Sequence, residues 1–357
     1  MAKIISIPLA IIMLVFSFIF PKEKPEVNQD EWNTNYDYVW VHGLMGWGSY
    51  DFYYDLFPYW GVLNGNMLKQ LKKEGYNCYA ASVDGTASAW DRACELYAQL
   101  TGTVVDYGKA HSERCGHDRY GEDFTGRALI DEFDSEHKIN LLGHSFGGAT
   151  IRVFASLMAV GSEEEVKASP DDVSSFFKGG KEDWIYSMTA LAAPHNGTSA
   201  YESKSDDIDS AAYDMYIDNA LELNKTIYTS PETYYFSIAC SATNKNADGT
   251  YSADKKLMEA MFQSSADSMG SYTGKTECGF EIDETWLEND GLVNTVSALA
   301  PSSAPSATFD PDNISKGVWY MMPVYRGDHM SLQGGFSKVN SDVFGYYVGF
   351  LDMINSL

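Results

Sequence analysis

The sequence is poor in positive charge. Lys and Arg together number 25 among 357 residues, against 50 Asp and Glu, and the formal net charge is −25 at pH 7. A surface of this sign repels nucleic acid and anionic membrane faces, which argues against polyanion binding as a function. The acidic clusters at 163–165 and 206–207 are expected to be solvated.

Cysteine is also scarce, and no internal repeat is present. The five cysteines are odd in number and form no dense framework, so disulfides are not expected to hold this fold together. Cys94 lies in a helical pattern over 90–100 and is interpreted as a small buried hydrophobe rather than a reactive thiol.

Long hydrophobic runs are missing except at the N-terminus. Lys3 precedes an apolar run over 4–20, which is typical of an export signal. No clear A-x-A cleavage pattern follows, so a retained membrane anchor stays an alternative. We assign 1–24 to the signal or anchor, 25–35 to a polar linker and 36–357 to one large domain, because 45% hydrophobic and 14% aromatic content suits a single core.

Segments with strand and helix patterns alternate along this domain. Strands are predicted at 36–41, 76–83, 138–142, 185–193, 233–240 and 317–325, and helices at 90–100, 126–133, 147–158 and 342–354. Such alternation predicts an α/β fold, in which helices cover both faces of a mainly parallel sheet.

The pentapeptide Gly143-His144-Ser145-Phe146-Gly147 joins a predicted strand to a predicted helix. Strand, G-x-S-x-G and helix together are typical of the nucleophile elbow of an α/β-hydrolase. The turn is so tight that the positions two before and two after the serine must be small. The pattern therefore predicts Ser145 as a nucleophile, the alternative being a Gly-rich turn whose serine only caps the helix.

A serine nucleophile needs a base, and the base needs a carboxylate that orients it. In this fold the chain order is Ser, acid, His. Four histidines precede the elbow and His144 lies on the wrong side of the turn, so His195 and His329 remain. His329 follows the last predicted strand and is the predicted base, whereas His195 is expected to order an earlier loop.

The predicted acid is Asp290, which lies between the last two predicted strands and is followed by a glycine. Glu288 is its nearest competitor. An oxyanion hole also needs two N–H donors. By position, these are the backbone amides of Phe146, after the nucleophile, and of Leu44, in the loop after the first strand.

Four segments resemble the zinc-containing bacterial triacylglycerol lipases of the α/β-hydrolase superfamily. They are 42–48 (HGLMGWG), 90–100 (WDRACELYAQL), 193–198 (APHNGT) and 286–294 (WLENDGLVN). The resemblance runs from about residue 36 to the C-terminus. It implies the triad Ser145, Asp290 and His329, and ester hydrolysis through an acyl-enzyme.

The same resemblance implies a structural zinc ion, held by two histidines and two aspartates in a loop insertion. The matching positions are Asp91, His111, His117 and Asp214. Asp209 is a nearby alternative to the last of these. Cys115, between the two histidines, is a rival ligand because thiolates bind zinc well.

Two features depart from that family. The stretch after His329, 330–336, contains no acidic residue, so a calcium site like the family's is doubtful. His195 and Asp214 are only nineteen positions apart, which leaves most of the family's lid missing. The segments 241–254 and 267–281 are the alternatives for a small flap over the site.

The sequence thus predicts an exported carboxylic-ester hydrolase of lipase type that acts on acylglycerols or other esters. An esterase for short soluble esters on the same machinery is the first alternative. A non-catalytic binding module on a decayed hydrolase fold is the second. Nothing in the sequence fixes the acyl-chain length or the oligomeric state, and no nucleic-acid partner is expected.

Overall fold

A computed structural model describes residues 27–62, 64–201, 203–335 and 342–357. The apolar run at 4–20, predicted as an export signal or anchor, lies outside these ranges. Within them, no helix has both the length and the apolarity that a membrane span requires.

The strands are β1 Asp37–Val41, β2 Cys78–Ala81, β3 Val104–Asp106, β4 Tyr120–Asp123, β5 Ile139–His144, β6 Ile185–Leu191, β7 Tyr234–Ile238, β8 Cys240–Ser241, β9 Thr243–Lys245, β10 Tyr251–Ala253, β11 Gly274–Lys275, β12 Glu281–Ile282, β13 Ser306–Thr308, β14 Trp319–Met321 and β15 Tyr325–Arg326. Seven of them form one sheet in the order β13-β14-β7-β6-β5-β1-β2. Each neighbouring pair in it is parallel, which confirms the predicted α/β fold.

The helices are α1 Met67–Lys73, α2 Ala89–Thr101, α3 Lys109–Cys115, α4 Phe146–Val160, α5 Glu163–Ala168, α6 Ala211–Met215, α7 Ile217–Thr226, α8 Ala260–Met269, α9 Thr295–Leu299 and α10 Val343–Ser356. Helices α2 and α4 pack on one face of the sheet, and α1 and α10 on the other. The sheet is therefore covered on both sides, as the alternation predicts.

The alternation of side chains along β1 shows how the sheet divides the core. Val39 and Val41 belong to the apolar cluster beneath α2 and α4, whereas Tyr38 and Trp40 belong to the cluster beneath α1 and α10. All four are fully buried. Because successive strand residues point to opposite faces, a strand buried on both faces is apolar at every position.

The prediction of a helix at 126–133 is wrong. This segment runs as turns and bends instead. Gly126 has φ +75°, and the amide of Leu129 donates to the carbonyl of Gln99 on α2, 2.7 Å away. Backbone donors that are used by a neighbouring helix cannot close helical turns of their own.

The described part of the predicted linker packs against the domain. Residues Gln29–Glu31 form a 3-10 turn. The indole N–H of Trp32 donates to Asp352 on α10 at 2.7 Å, and the amide of Asn33 donates to the carbonyl of Asn355 at 2.7 Å. The contacts of the folded domain therefore begin before residue 36.

Candidate active site

Ser145 stands between β5 and α4 with a backbone that non-glycine residues rarely adopt. Its φ is 55° and its ψ is −127°. A Cβ at Gly147 would lie 2.4 Å from the Val41 carbonyl oxygen, so only glycine lets α4 begin this close to β1. The turn is thus the strained elbow that the pentapeptide predicts.

The structure brings Ser145, Asp290 and His329 together. The Nε2 atom of His329 lies 2.7 Å from the Oγ of Ser145, and its Nδ1 lies 2.9 Å from the Oδ2 of Asp290. All three side chains are buried. Because the carboxylate can only accept, Nδ1 carries the proton and Nε2 is free to accept from the serine hydroxyl.

The carboxylate of Asp290 is fixed from its other side. Its Oδ1 accepts the amides of Leu292 at 3.0 Å and Val293 at 2.8 Å, and Gly291, directly after the acid, has φ +103°. The amide of His329 in turn donates to the carbonyl of Asp290 at 3.0 Å. The acid and the histidine therefore hold each other through both backbone and side chains.

Glu288 and His195, the alternatives for the acid and the base, make other contacts. The carboxylate of Glu288 accepts the hydroxyl of Ser241 at 2.6 Å. The ring of His195 contacts the hydroxyl of Ser237 at 3.1 Å, and its carbonyl accepts from Asn224 at 2.9 Å. Both residues order loops, which is the role predicted for His195.

The loop after β1 lies directly against the nucleophile. A Cβ at Gly43 would be 2.7 Å from the Cβ of Ser145, so only a glycine lets the backbone pass this close to the serine. Within the described part of the chain, the amides of Leu44 and Phe146 have no hydrogen-bond acceptor. Two free donors beside the serine match the predicted oxyanion hole.

His144 supports this arrangement, a role that its position in the sequence does not predict. Its Nε2–H donates to the carbonyl of His329 at 2.8 Å, and its Nδ1 accepts the Tyr59 hydroxyl at 2.7 Å. That hydroxyl accepts the amide of Gly43 at 3.2 Å. Burial, and to a smaller extent the nearby His329, lowers the pKa of His144 to about 3, so this histidine is neutral at ordinary pH.

A largely apolar cavity of about 420 Å³ opens onto Ser145 and His329. Its walls come from the loop after β1, the stretch after β6, the acid loop and α8; they include Leu44, Met45, Trp47, Tyr201, Ser265, Leu292 and Met330. The described residues of 199–210 form turns and bends, with the first helix beginning at Ala211. No helix pair within those described residues covers the cavity.

A second group of polar side chains lies between α2, α3 and the segment before α6. The Nε2 of His111 is 3.0 Å from Asp91 and 3.2 Å from Asp209, and the Nε2 of His117 is 3.2 Å from Asp209 and 3.9 Å from Asp91. Donor atoms from His111, Cys115, His117 and Asp209 all lie within 4.8 Å of one another, so the group could hold a metal ion.

Four buried atoms of this group belong to histidines and aspartates within ion-pair distance, yet none of the four makes a well-formed hydrogen bond. They are Oδ1 of Asp91, Nε2 of His111, Nε2 of His117 and Oδ1 of Asp209. Buried polar atoms are normally paired, and four that converge fit a tetrahedral ion with two imidazole and two carboxylate ligands. Burial alone would lower the pKa of His111, but Asp209 and Asp91 raise it to about 9, which shows how strongly the group favours positive charge.

The second carboxylate that faces the two histidines is that of Asp209, the alternative to the predicted ligand Asp214. Asp214 lies in the first turn of α6, and its Oδ2 accepts the amide of Ala89 at 2.7 Å. Asp214 therefore satisfies a free donor at the start of α2, the helix that carries Asp91. Asp209, just before the N-cap Ser210, faces both histidines instead.

Neighbouring residues hold the His111 ring in place. Trp90 stacks on it, with ring centroids 5.2 Å apart and planes 17° from parallel. Glu165, which was expected to be solvated, is buried and accepts the amides of Ala110 at 2.9 Å and His111 at 2.8 Å. That expectation is wrong because the start of α3 needs an acceptor for its free N–H groups.

The cysteines are all free thiols, and Cys94 is buried as predicted. Cys115 lies at the end of α3 with its Sγ 3.9 Å from the Nδ1 of His111. This is the ring nitrogen opposite the Nε2 that faces the two carboxylates. The thiol thus belongs to the group but faces the side of the His111 ring opposite the carboxylates.

Comparison with known proteins gives one family. The family model described as "Lipase-like, C-terminal domain" matches residues 34–208 and 203–343. Among solved structures, EstA from Clostridium botulinum is similar over 95% of this chain and 92% of its own, with 29% identity and a TM-score of 0.83. The Staphylococcus hyicus lipase structure is similar over 92% of this chain and 98% of its own, with 27% identity and a TM-score of 0.79.

Curated sequences from staphylococci are similar at the same level. Lipase 2 of Staphylococcus aureus is 29% identical over an alignment of 396 positions, which covers 93% of this chain and 56% of the relative. The chain therefore spans little more than half the length of the curated relatives it matches.

Proposed function

Because the chain belongs to the bacterial lipase family, we propose that it is an exported carboxylic-ester hydrolase that acts on acylglycerols or related esters through a Ser-His-Asp acyl-enzyme mechanism. One observation carries the proposal: the hydrogen-bonded series from Asp290 through His329 to Ser145 ends at a largely apolar cavity, which Ser145 and His329 line. The apolar run at 4–20 supports export.

In acylation, the Oγ of Ser145 attacks the ester carbonyl while the Nε2 of His329 takes its proton. Asp290 keeps the proton on Nδ1 and stabilises the imidazolium that forms. The substrate oxygen becomes an oxyanion, which accepts hydrogen bonds from the free amides of Leu44 and Phe146. His329 then gives its proton to the leaving alcohol.

Deacylation repeats these steps with water. His329 removes a proton from the water, whose oxygen attacks the acyl carbonyl in the same oxyanion hole. The second tetrahedral intermediate collapses when Nε2 returns a proton to the Oγ of Ser145. The buried surroundings keep His144 neutral, so no second imidazolium competes beside His329.

The cavity supports an acyl substrate with an apolar tail. Leu44, Met45, Leu292 and Met330 line it together with the reacting groups. A pocket whose few polar atoms converge on the nucleophile binds an apolar chain by burial and orients it by the ester alone.

We also propose that the second group holds zinc, with Asp91, His111, His117 and Asp209 as ligands. Neutral imidazole and carboxylate are suitable zinc ligands, and four protein ligands close the coordination sphere. The bound ion would supply structural cross-linking of α2, α3 and the segment before α6. The four buried atoms, none of which makes a well-formed hydrogen bond, support this proposal.

An esterase for short, soluble esters is the second candidate. The polar composition of 199–210 and the step of nineteen positions from His195 to Asp214 favour it, because they leave little chain for a large apolar lid.

The test is a series of esters of increasing acyl length, assayed with the purified full chain. We expect hydrolysis of the series and stoichiometric labelling of Ser145 by a fluorophosphonate, located by peptide mass spectrometry. The position of the optimum along the series separates the lipase from the short-chain esterase. A folded protein that hydrolyses none of the esters, or that is labelled at another serine, would overturn the proposal.

A further inference from the structure

Arg92 is a fully buried cation on α2. Its Nη2 donates to the carbonyl of His42, while its Nε and Nη1 have no hydrogen-bond partner. Among the residues that the structure describes, no carboxylate forms an ion pair with it. A guanidinium keeps its proton even when it is buried, so the side chain is charged at neutral pH.

A buried charge without a counterion is costly, and proteins retain such groups for a reason that packing alone does not supply. Glu95, the acidic residue with the largest influence on Arg92, is itself engaged elsewhere. Its carboxylate accepts the amide of Asp84 at 2.6 Å and the hydroxyl of Tyr107 at 3.0 Å. Glu95, Asp84 and Asp214 therefore attract Arg92 only from a distance, and no carboxylate of the described residues is hydrogen-bonded to its guanidinium.

The two contacts of the guanidinium fall on the two segments that carry the free amides. His42, whose carbonyl it binds, leads directly into the loop of Leu44. The ring of Phe146, the first residue of α4, lies 4.9 Å beneath its Cζ. A cation over an aromatic face is attracted to it.

The same carbonyl also marks where the two segments meet. A Cβ at Gly147 would lie 2.7 Å from the His42 carbonyl oxygen, so the start of α4 packs directly on this group. The guanidinium thus contacts both sides of one junction, and a change in its position would change the separation of the two amides.

We propose that Arg92 is a positioning residue for the oxyanion hole. Its guanidinium fixes the loop of Leu44 relative to the start of α4, and its charge favours negative charge on the substrate oxygen. Donors that are held in place before the reaction stabilise the oxyanion without reorganisation, and a charge acts strongly where water is excluded. This inference rests on the proposed ester hydrolysis.

A merely structural arginine would act differently. Its loss would lower the melting temperature and would weaken binding of the ground state and of the tetrahedral state alike. A positioning residue acts on the tetrahedral state, so its loss lowers kcat with little change in KM, and weakens a tetrahedral analogue by the same factor.

The experiment compares Arg92→Met, Arg92→Gln and Arg92→Lys with the control Arg152→Met. Arg152 is also buried and also binds a backbone carbonyl, that of His195, and its other hydrogen bond goes to the side chain of Asn224. Each protein is assayed with a soluble ester for kcat and KM, for inhibition by a boronic acid that forms a tetrahedral adduct with serine, and for melting temperature.

We expect kcat of Arg92→Met to fall by about tenfold to a hundredfold, less than the loss on removing an oxyanion donor outright. Affinity for the boronic acid should fall in parallel, KM should change little, and Arg92→Lys should recover part of the loss. Arg152→Met should keep the wild-type kcat at temperatures where it is folded.

Wild-type kcat in Arg92→Met would overturn the inference. A KM that rises by the same factor as the inhibition constant of the boronic acid would overturn it as well. If Arg92→Met does not fold, Arg92→Gln decides. It keeps a donor for the His42 carbonyl and removes the charge, so wild-type kcat in that variant overturns the inference as well. A wild-type enzyme without ester hydrolysis would instead be a failure of the proposed function.

Discussion

The Nε2 atom of His329 lies 2.7 Å from the Oγ of Ser145, although 184 positions separate the two residues in the chain. The segments that follow two strands of different sheets make this contact. Ser145 follows β5 in the middle of the sheet, and His329 follows β15, which pairs with β8. Through this contact the hydroxyl of Ser145 has His329 as its hydrogen-bond acceptor. In the proposed mechanism, the proton that the serine loses on attack therefore goes to that ring.

The metal group leads to the first prediction. The protein purified without chelator should contain one zinc ion per chain, and chelation should lower its melting temperature. An ion that binds only the folded state at 100 times its Kd adds about 2.7 kcal/mol to the free energy of unfolding. Elemental analysis and thermal unfolding measure both effects.

Variants at the two candidate aspartates sharpen this test. Asp209→Asn should lose the metal, whereas Asp214→Asn should keep it, because an amide oxygen can still accept the amide of Ala89. Loss of zinc in Asp214→Asn but not in Asp209→Asn would show that Asp214 is the ligand. Absence of zinc from the wild type and both variants would show that the group does not bind zinc.

The thiol of Cys115 gives a second prediction. Cobalt substituted for zinc should show no intense thiolate-to-metal absorption band, and its spectrum should be the same in Cys115→Ser. The reason is that Sγ faces the Nδ1 of His111, whereas the ring atom that faces the two carboxylates is Nε2. A charge-transfer band that disappears in Cys115→Ser would make Cys115 a ligand.

The buried His144 gives a third prediction, on pH and stability. Its pKa is lowered to about 3 in the folded chain, against about 6.5 when unfolded, so between these values unfolding takes up a proton and stability falls as the pH falls. Each pH unit in that window costs about 1.4 kcal/mol. The stability difference between the wild type and His144→Gln should therefore shrink by about 2 kcal/mol from pH 7.5 to pH 5.

Urea unfolding at the two pH values measures this difference. His137 serves as the control because it is exposed and Asp134 raises its pKa, so His137→Gln should show no shrinkage of that sign. If the difference in the free energy of unfolding between the wild type and His144→Gln stays constant with pH, His144 is charged in the folded chain.

The segment 199–210 gives a fourth prediction. The rate of hydrolysis of a short triglyceride should rise smoothly with concentration through its solubility limit. Because the described residues there form turns rather than a helix pair, no large lid has to open at an oil surface. A sharp rise at the limit, reproduced without detergent, would show that another segment covers Ser145.

Local patterns predicted which three side chains lie together at the elbow. The elbow around Ser145 follows from the small residues that its turn requires, and the fold's chain order selects Asp290 and His329. The α/β fold follows from alternating strand and helix patterns, because six strands of the seven-stranded sheet are apolar enough to be predicted alone. The edge strand β13 is largely exposed and was not predicted.

Side chains that act across elements could not be predicted in this way. The choice between Asp209 and Asp214 depends on where α6 begins, and element boundaries are the least certain part of a sequence pattern. Arg92 reads as a polar residue on an amphipathic helix, yet its guanidinium is buried against His42 and Phe146. Glu165 reads as a solvated charge until α3 is placed against it.

The most direct test of the central claim is the kcat of Ser145→Ala on a soluble ester, measured beside His329→Ala and the double variant. Because the triad acts as a unit, each single variant should lose several orders of magnitude and the double variant should lose little more. Melting temperatures near that of the wild type would show that the folds are intact. A Ser145→Ala protein that keeps wild-type kcat in a preparation free of contaminating esterase would contradict the account.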